Sequence, residues 1–310
     1  MRERLTELGY AAGWRVARAL PLPVARAVFN AGADRSFRSN GPGTQRLRRN
    51  LRRVVGPSMG DAELEDLVRA GLRSYARYWM EAFRLPSQSR EQFLTNFRLE
   101  QADEFLAMLA EGKGAILALP HLGNWDAAAA WVVSHGFPLV TVAERLKPES
   151  VFRQFVEYRE KLGMEVIPLT GGQRAPLDVL AEKATQGYAV ALLADRDLSS
   201  RGAEVRFFGG RTRMPPGPAL LALRTGAPLY AVDLYFTPEQ AAGRIRLIPV
   251  PAESEGPLDQ RVKLVTQRLA DAFEVGIAEH PQDWRMLQKF WLDEPAPAPS
   301  QDSAAQAGQA

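Results

Sequence analysis

His121-Leu122-Gly123-Asn124-Trp125-Asp126 places an imidazole and a carboxylate five residues apart, just after the apolar run Gly114 to Leu119. These two groups suit one task, a base and the carboxylate that orients it. Five residues of ideal helix turn through roughly 500°, which leaves the two side chains about 140° apart. They cannot meet across one regular helix, so the backbone must bend between them. Pro120 and Gly123 mark that bend, and a helix is expected to open near Asn124. Asp126 then falls in the first helical turn, where the macrodipole favours a carboxylate. His121, hanging from the strand end, would accept a hydrogen bond from a substrate hydroxyl while Asp126 fixes its tautomer. The same spacing also arises by chance at ordinary turns. Here it follows a strand, it comes with Asn124 and Trp125, and the chain has only three histidines to choose from. His135, in Ser134-His135-Gly136, reads as a turn residue, and His280, before Pro281, reads as a helix-end residue.

The elements that must position these groups alternate. Strands are expected at Ala115 to Leu119, Leu139 to Val142, Glu165 to Pro168, Ala189 to Ala194, Leu229 to Phe236 and Ile245 to Val250, with helices near 124–134, 149–162, 176–186 and 216–225 between them. A helix near Asp61 to Phe83, with Tyr75, Tyr78 and Trp79 as core residues, precedes them, and a long helix from about Leu258 to Glu279 follows. This order predicts a single α/β domain with a mostly parallel central sheet covered by helices, preceded by N-terminal amphipathic helices. Ligands in such sheets gather outside the carboxyl ends of the strands. Three strand ends carry ionisable groups: His121, then Glu144-Arg145, then Asp195-Arg196-Asp197. Arg159 lies near the end of the helix after the second of these, where it could equally form a surface pair with Glu157 or Glu160. Arg201, Arg206, Arg211, Arg213 and Arg224 follow in loops or at helix ends and could hold phosphates or simply be solvated.

Composition narrows the chemistry. The chain has no cysteine, which removes a thiol nucleophile, a cysteine zinc site and any disulfide. No strand is followed by a G-x-S-x-G elbow for a covalent acyl-serine, Gly56-Pro57-Ser58-Met59-Gly60 lying after a helical segment, and no glycine-rich phosphate loop follows a strand. Asp195-Arg196-Asp197 also reads as a short DxD motif, which leaves a metal-dependent glycosyltransferase open. Without a protein nucleophile, His121 would act directly, taking a proton from an acceptor hydroxyl as that oxygen attacks an activated acyl carbon. A thioester donor suits this step because its thiolate leaves readily. A non-catalytic lipid-binding protein is the remaining alternative.

The net charge of +3 conceals an asymmetry: residues 1–56 carry twelve arginines and three acidic residues, a charge of +9, and the remainder carries 27 basic and 33 acidic residues, a charge of −6. Residues 1 to 20 read as an amphipathic helix ended by Pro21 and Pro23. After Asn40-Gly41-Pro42-Gly43 a second one aligns Leu47, Leu51, Val54 and Val55, flanked by Arg46, Arg48, Arg49, Arg52 and Arg53. Such helices suit an anionic membrane surface, although their apolar faces could instead pack on the core. Neither interleaved aromatics nor a DNA-binding motif accompanies the arginines, so nucleic acid is not expected as a partner. No run is apolar enough to span a bilayer, and Arg15 and Arg18 interrupt any secretory signal. The organisation expected is basic amphipathic helices over 1–56, the α/β domain over 57–294 and a disordered Pro-Ala-rich tail over 295–310.

The H-x4-D segment resembles that of the bacterial lipid A biosynthesis acyltransferase superfamily. Ala143 to Glu149, Gly163 to Leu169, Asp195 to Leu198, Trp284 to Trp291, Asn50 to Val54 and Ser74 to Trp79 are similar to the branch that acylates phosphatidylinositol mannosides. The similarity runs from the N-terminal helices to about Glu294. It implies transfer of a palmitoyl-type chain from acyl-CoA to a mannose 6-hydroxyl, by a peripheral enzyme on the cytoplasmic side of the inner (plasma) membrane. A lipid A acyltransferase shares the H-x4-D chemistry without the mannoside-branch motifs. The resemblance implies His121 as base, Asp126 as its orienting partner and Asp195 as a third acidic active-site residue, where that branch carries glutamate. It places Arg159, Arg201 and Arg224 with His121 on the acyl donor, and Glu144 and Arg196 on the acceptor. Neither a metal nor a cofactor is expected, acyl-CoA being a substrate.

Overall fold

The computed structural model describes residues 17–144, 149–197, 199 and 201–293. The expected helix over the first sixteen residues, Arg145 and the tail from 295 lie outside the described residues. Among those described, β1 (Phe97–Glu100), β2 (Ala115–Leu119), β3 (Leu139–Ala143), β4 (Glu165–Pro168), β5 (Ala189–Leu193), β8 (Leu229–Phe236) and β9 (Ala241–Ile248) form a seven-stranded sheet in the order β1-β9-β8-β2-β5-β3-β4. β2 pairs in parallel with β5 and β8, β3 pairs in parallel with β5 and β4, and only β9 against β8 is antiparallel. The expected mostly parallel sheet is therefore present. A two-stranded antiparallel hairpin, β6 (Ala203–Phe207) and β7 (Gly210–Met214), stands apart from it.

β2 sits inside the sheet, and all five of its residues are buried. A strand covered on both faces reads as a continuous apolar run. Two apolar layers flank the sheet. One is built from the end of α3 (Asp61–Arg84), α4 (Arg90–Asn96), α5 (Asp103–Ala110), α6 (Trp125–Ser134) and α7 (Glu149–Lys161). The other is built from α8 (Pro176–Thr185), α9 (Gly217–Thr225), α10 (Leu258–Glu279), the hairpin and the aromatic segment Trp284 to Trp291. After β2 the chain enters the first layer, and after β5 it enters the second. A crevice opens between strands whose connections part in this way, at their carboxyl ends.

The N-terminal helices are part of the body of the protein. α1 (Leu22–Ser39) begins with Pro21 as its N-cap and Pro23 in its first turn, so the two prolines that end the preceding segment also start a new helix. Asp34 on α1 accepts from both Arg69 and Arg73 of α3, and these guanidiniums hold its carboxyl well below the usual range. In α2 (Pro42–Val55), Leu47 and Leu51 are fully buried, packed with Leu64, Val68 and Leu72 of α3. The apolar face of this helix is thus used by the core and is not available to lipid. Arg48 and Arg52 pair with Glu65 and Asp61, which leaves Arg46 and Arg49 as exposed arginines of this helix.

Residues 283–291 run back across the carboxyl edge as a strap. Gly123 N–H donates to the Asp283 carbonyl at 3.2 Å, Arg285 N–H donates to the His121 carbonyl at 2.9 Å, and Leu122 forms a bridge with Trp284. Asn50, wholly buried on α2, ties down the other end. Its amide donates to the Met286 carbonyl at 2.6 Å and its Oδ1 accepts the Trp291 indole N–H at 2.9 Å.

Candidate active site

The register of the two central strands builds the site. Leu119 of β2 pairs with Leu193 of β5, and each chain then runs two residues further, to His121 and to Asp195. The result is a close pair. His121 Nδ1 lies 2.5 Å from Asp195 Oδ1, and the His121 backbone N–H donates to Oδ2 at 2.9 Å. The Trp284 indole N–H donates to the same Oδ2 at 3.0 Å. Burial works to raise the pKa of Asp195, but the charge and hydrogen bonds of His121 and the Trp284 indole outweigh it and hold the carboxyl below its ordinary value. An ionised carboxylate can only accept, so Nδ1 carries a proton, and whenever the imidazole is neutral Nε2 presents its lone pair. The His121 side chain is 25% exposed and that of Asp195 is wholly buried, an arrangement in which the base reaches solvent and its orienting group does not.

Asp126 has a different partner from the one its spacing implied. Asn124 caps α6, its Oδ1 accepting the Ala127 N–H at 3.0 Å, and Asp126 stands in the first turn as expected. Gly123 bends the chain at φ +55°, where a β-carbon would lie 2.4 Å from the Leu234 carbonyl carbon. This bend sends Asp126 towards α3 and α7. Its Oδ1 accepts from Arg159 Nε at 2.8 Å and its Oδ2 from the Tyr78 hydroxyl at 2.9 Å. The carboxylate that orients His121 is therefore Asp195. Burial disfavours the Arg159 cation, yet Asp126 beside it raises its pKa above the ordinary value, while burial pushes the Tyr78 hydroxyl well up. Arg159, 16% exposed, is thus the partner of Asp126, and among the described residues it forms no ion pair with Glu157 or Glu160.

Trp125 connects this pair to a cavity. Its ring meets His121 edge-on at 5.7 Å between centroids. With Asp126 and Arg159 it lines a narrow cavity of about 70 Å³ beneath α6, walled by Leu119, Val132, Leu193 and Val232. Leu99 and Ile245 line the far side, so the cavity crosses the strands of the sheet.

The other expected site residues divide by place. Glu144 is exposed at the end of β3 and Arg196 follows Asp195, both at the same edge as His121. Arg201 is exposed in the loop to β6, its N–H donating to Ser199 Oγ at 3.1 Å. Arg224 does not join them. It ends α9, pairs with Asp178 at 2.5 Å, and lines a groove with Leu229 and Ile248. Leu229 begins β8 and Ile248 ends the antiparallel β9, so Arg224 sits at the opposite edge of the sheet. The DxD carboxylates do not converge either. Asp195 faces His121, whereas Asp197 accepts from the Ser199 N–H and hydroxyl and from the Gly202 N–H, closing its own loop. His135 caps α6 with Nδ1 2.9 Å from the Trp131 carbonyl, and His280 stacks on Tyr235 at 4.0 Å. Trp284 had no sequence signal for its role: the indole reaches Asp195 across 89 residues of chain.

An imidazole held by a buried carboxylate, partly open to solvent and meeting an aromatic wall of an apolar cavity, has the groups that moving an acyl chain onto a hydroxyl would need. The model of the bacterial lipid A biosynthesis acyltransferase family matches residues 2–293, and the chain belongs to that family. It is 50% identical over 289 residues to a phosphatidylinositol mannoside acyltransferase of Mycolicibacterium smegmatis, covering 93% of this chain and 92% of the relative. A phosphatidylinositol mannoside acyltransferase of Mycobacterium tuberculosis (strain CDC 1551 / Oshkosh) is 45% identical over 289 residues, covering 93% and 89% of the two chains.

Proposed function

We propose that this acyltransferase moves a palmitoyl-type chain from acyl-CoA to a mannose hydroxyl of phosphatidylinositol mannosides, with His121 as general base. The observation that carries the reading is the His121–Asp195 pair set beside the apolar cavity; the acceptor is taken from the two named relatives. His121 Nε2 accepts the proton of the sugar hydroxyl as its oxygen attacks the thioester carbonyl carbon. The tetrahedral oxyanion collapses, the carbon–sulfur bond breaks, and the CoA thiolate takes the proton from Nε2. Asp195 keeps the proton of the imidazole on Nδ1 throughout and balances the imidazolium. The cavity beneath α6 is apolar and, at about 70 Å³, has to widen as it receives the acyl chain inside the α/β body, with Trp125, Asp126 and Arg159 in its wall. Rates with mannosylated phosphatidylinositol and with a lipid A precursor test the acceptor. A preference for the precursor would reassign it and leave the base and the donor in place.

The enzyme works at the cytoplasmic face of an anionic membrane, as a peripheral protein. No helix among the described residues is long and apolar enough to cross a bilayer. Arg46 and Arg49 are exposed on α2, and Leu22, Val24 and Val28 are exposed on α1. Each basic residue near such a surface contributes on the order of 1 kcal/mol. The double variant Arg46→Glu/Arg49→Glu should therefore bind phosphatidylinositol-containing vesicles at least about tenfold more weakly at low salt, with a smaller difference at high salt. Equal partitioning in a vesicle sedimentation assay would remove these arginines from the membrane contact.

A further inference from the structure

The strap contributes one charged group that the reaction as written leaves unused. Arg285 is 5% exposed, and its guanidinium carbon lies 4.2 Å from the Tyr78 ring centroid and 4.5 Å from that of Trp125. Its Nη1 donates to the Gly123 carbonyl, and its backbone N–H holds the His121 carbonyl at 2.9 Å. The remaining donors, Nε and Nη2, are buried without a hydrogen-bond partner. Burial pulls its pKa down, opposed by Tyr78 and Asp283.

This arrangement is costly to the fold. A buried charge with idle donors carries an uncompensated desolvation penalty, and an apolar side chain of similar size in such a place is often neutral or stabilising. What Arg285 does gain is a grip on both ends of one turn. Gly123 is the bend that directs α6 away from β2, and Trp125 is the ring that meets His121 edge-on and walls the cavity. A displaced turn would carry the imidazole out of line while leaving its bond to Asp195 intact.

We propose that Arg285 is a positioning residue for His121: packed over the adjoining rings of Tyr78 and Trp125 and bonded to Gly123, it fixes the His121–Trp125 turn so that Nε2 stays aligned with the acceptor hydroxyl and the thioester. The proposal rests on the reading of His121 as the base.

The test compares Arg285→Met, Arg285→Lys and His121→Ala by steady-state kinetics, thermal melting and binding of a thioether analogue of palmitoyl-CoA. Misalignment of this kind costs about 10²-fold, so Arg285→Met should lose about that much in kcat. Its analogue Kd should stay within about threefold of wild type and its Tm should equal or exceed wild type, because a buried unpaired cation has gone. Arg285→Lys, which keeps a cation over the rings without the planar fork, should fall between the two. Wild-type kcat in Arg285→Met, or a loss confined to analogue binding, would overturn the proposal. Should Arg285→Met fail to fold, Arg285→Lys decides: reduced kcat with unchanged analogue binding supports positioning, and wild-type kcat overturns it. An active His121→Ala would instead remove the base itself. An inactive His121→Ala beside a fully active Arg285→Met would remove only the role of Arg285.

Discussion

Replacing His121 with alanine is expected to lower acyl transfer by about 10²–10⁴-fold, the range supplied by general acid–base catalysis. The loss should fall on kcat, because the acyl cavity is walled by residues other than His121. The fold should survive. Asp195 loses its Nδ1 partner but keeps the His121 backbone N–H and the Trp284 indole, so its buried carboxylate still accepts two hydrogen bonds. Removing one partner from a buried group costs about 1–3 kcal/mol, a shift of several degrees in a chain of this size. Circular dichroism and thermal melting of the variant would establish that the protein assayed is folded. A folded variant that keeps more than about a tenth of wild-type kcat would contradict the role of His121 as base.

Asp195→Asn should be nearly as damaging, for a reason that raising the pH cannot repair. Two N–H donors, from the His121 backbone and the Trp284 indole, converge on Oδ2. The oxygen of an asparagine must fill that position, since its amide nitrogen there would face two donors. The amide NH₂ then faces Nδ1, which has to accept and so carries no proton. The proton of the neutral imidazole moves to Nε2, and the nitrogen that should receive the proton of the acceptor hydroxyl is already occupied. Losses of about 10³–10⁴-fold are expected for a base locked in the wrong tautomer. The isosteric change should leave the Tm close to wild type. Activity within about tenfold of wild type would mean that Asp195 holds the turn without setting the tautomer.

The difference between Asp126 and Asp195 shows how far sequence reading reaches in this fold. Strands β2, β4 and β8 lie within the expected bounds; β2 and β8 are buried strands that leave nearly unbroken apolar runs, whereas β4 is a half-buried edge strand. The expected end of β9 was displaced, since Ala241 to Gly243 lack bulky side chains and yet pair with β8. β1 and the β6–β7 hairpin escaped notice for a related reason: they are short, and the hairpin alternates buried residues with arginines and a glutamate. Strand-end reasoning brought His121, Glu144 and Asp195 to one edge. It could not supply the neighbour relation of β2 and β5, which is a property of the topology, so the nearer carboxylate in sequence was paired with the histidine. Arg224, which the resemblance implied for the donor, lies at the far edge because α9 carries it there. Trp284 and Arg285 belong to a strap whose path is set by hydrogen bonds to His121, Gly123 and Asn50, contacts that no local periodicity encodes.

The measurement that bears most directly on the central claim is transfer from palmitoyl-CoA to mannosylated phosphatidylinositol, followed by product mass and free CoA together. The wild-type enzyme should yield a product heavier by one palmitoyl group, with one CoA released for each product formed, and both should form about 10²–10⁴-fold more slowly with His121→Ala. CoA release without an acylated mannoside would contradict the assigned acceptor, and undiminished transfer by folded His121→Ala would contradict the histidine–carboxylate mechanism.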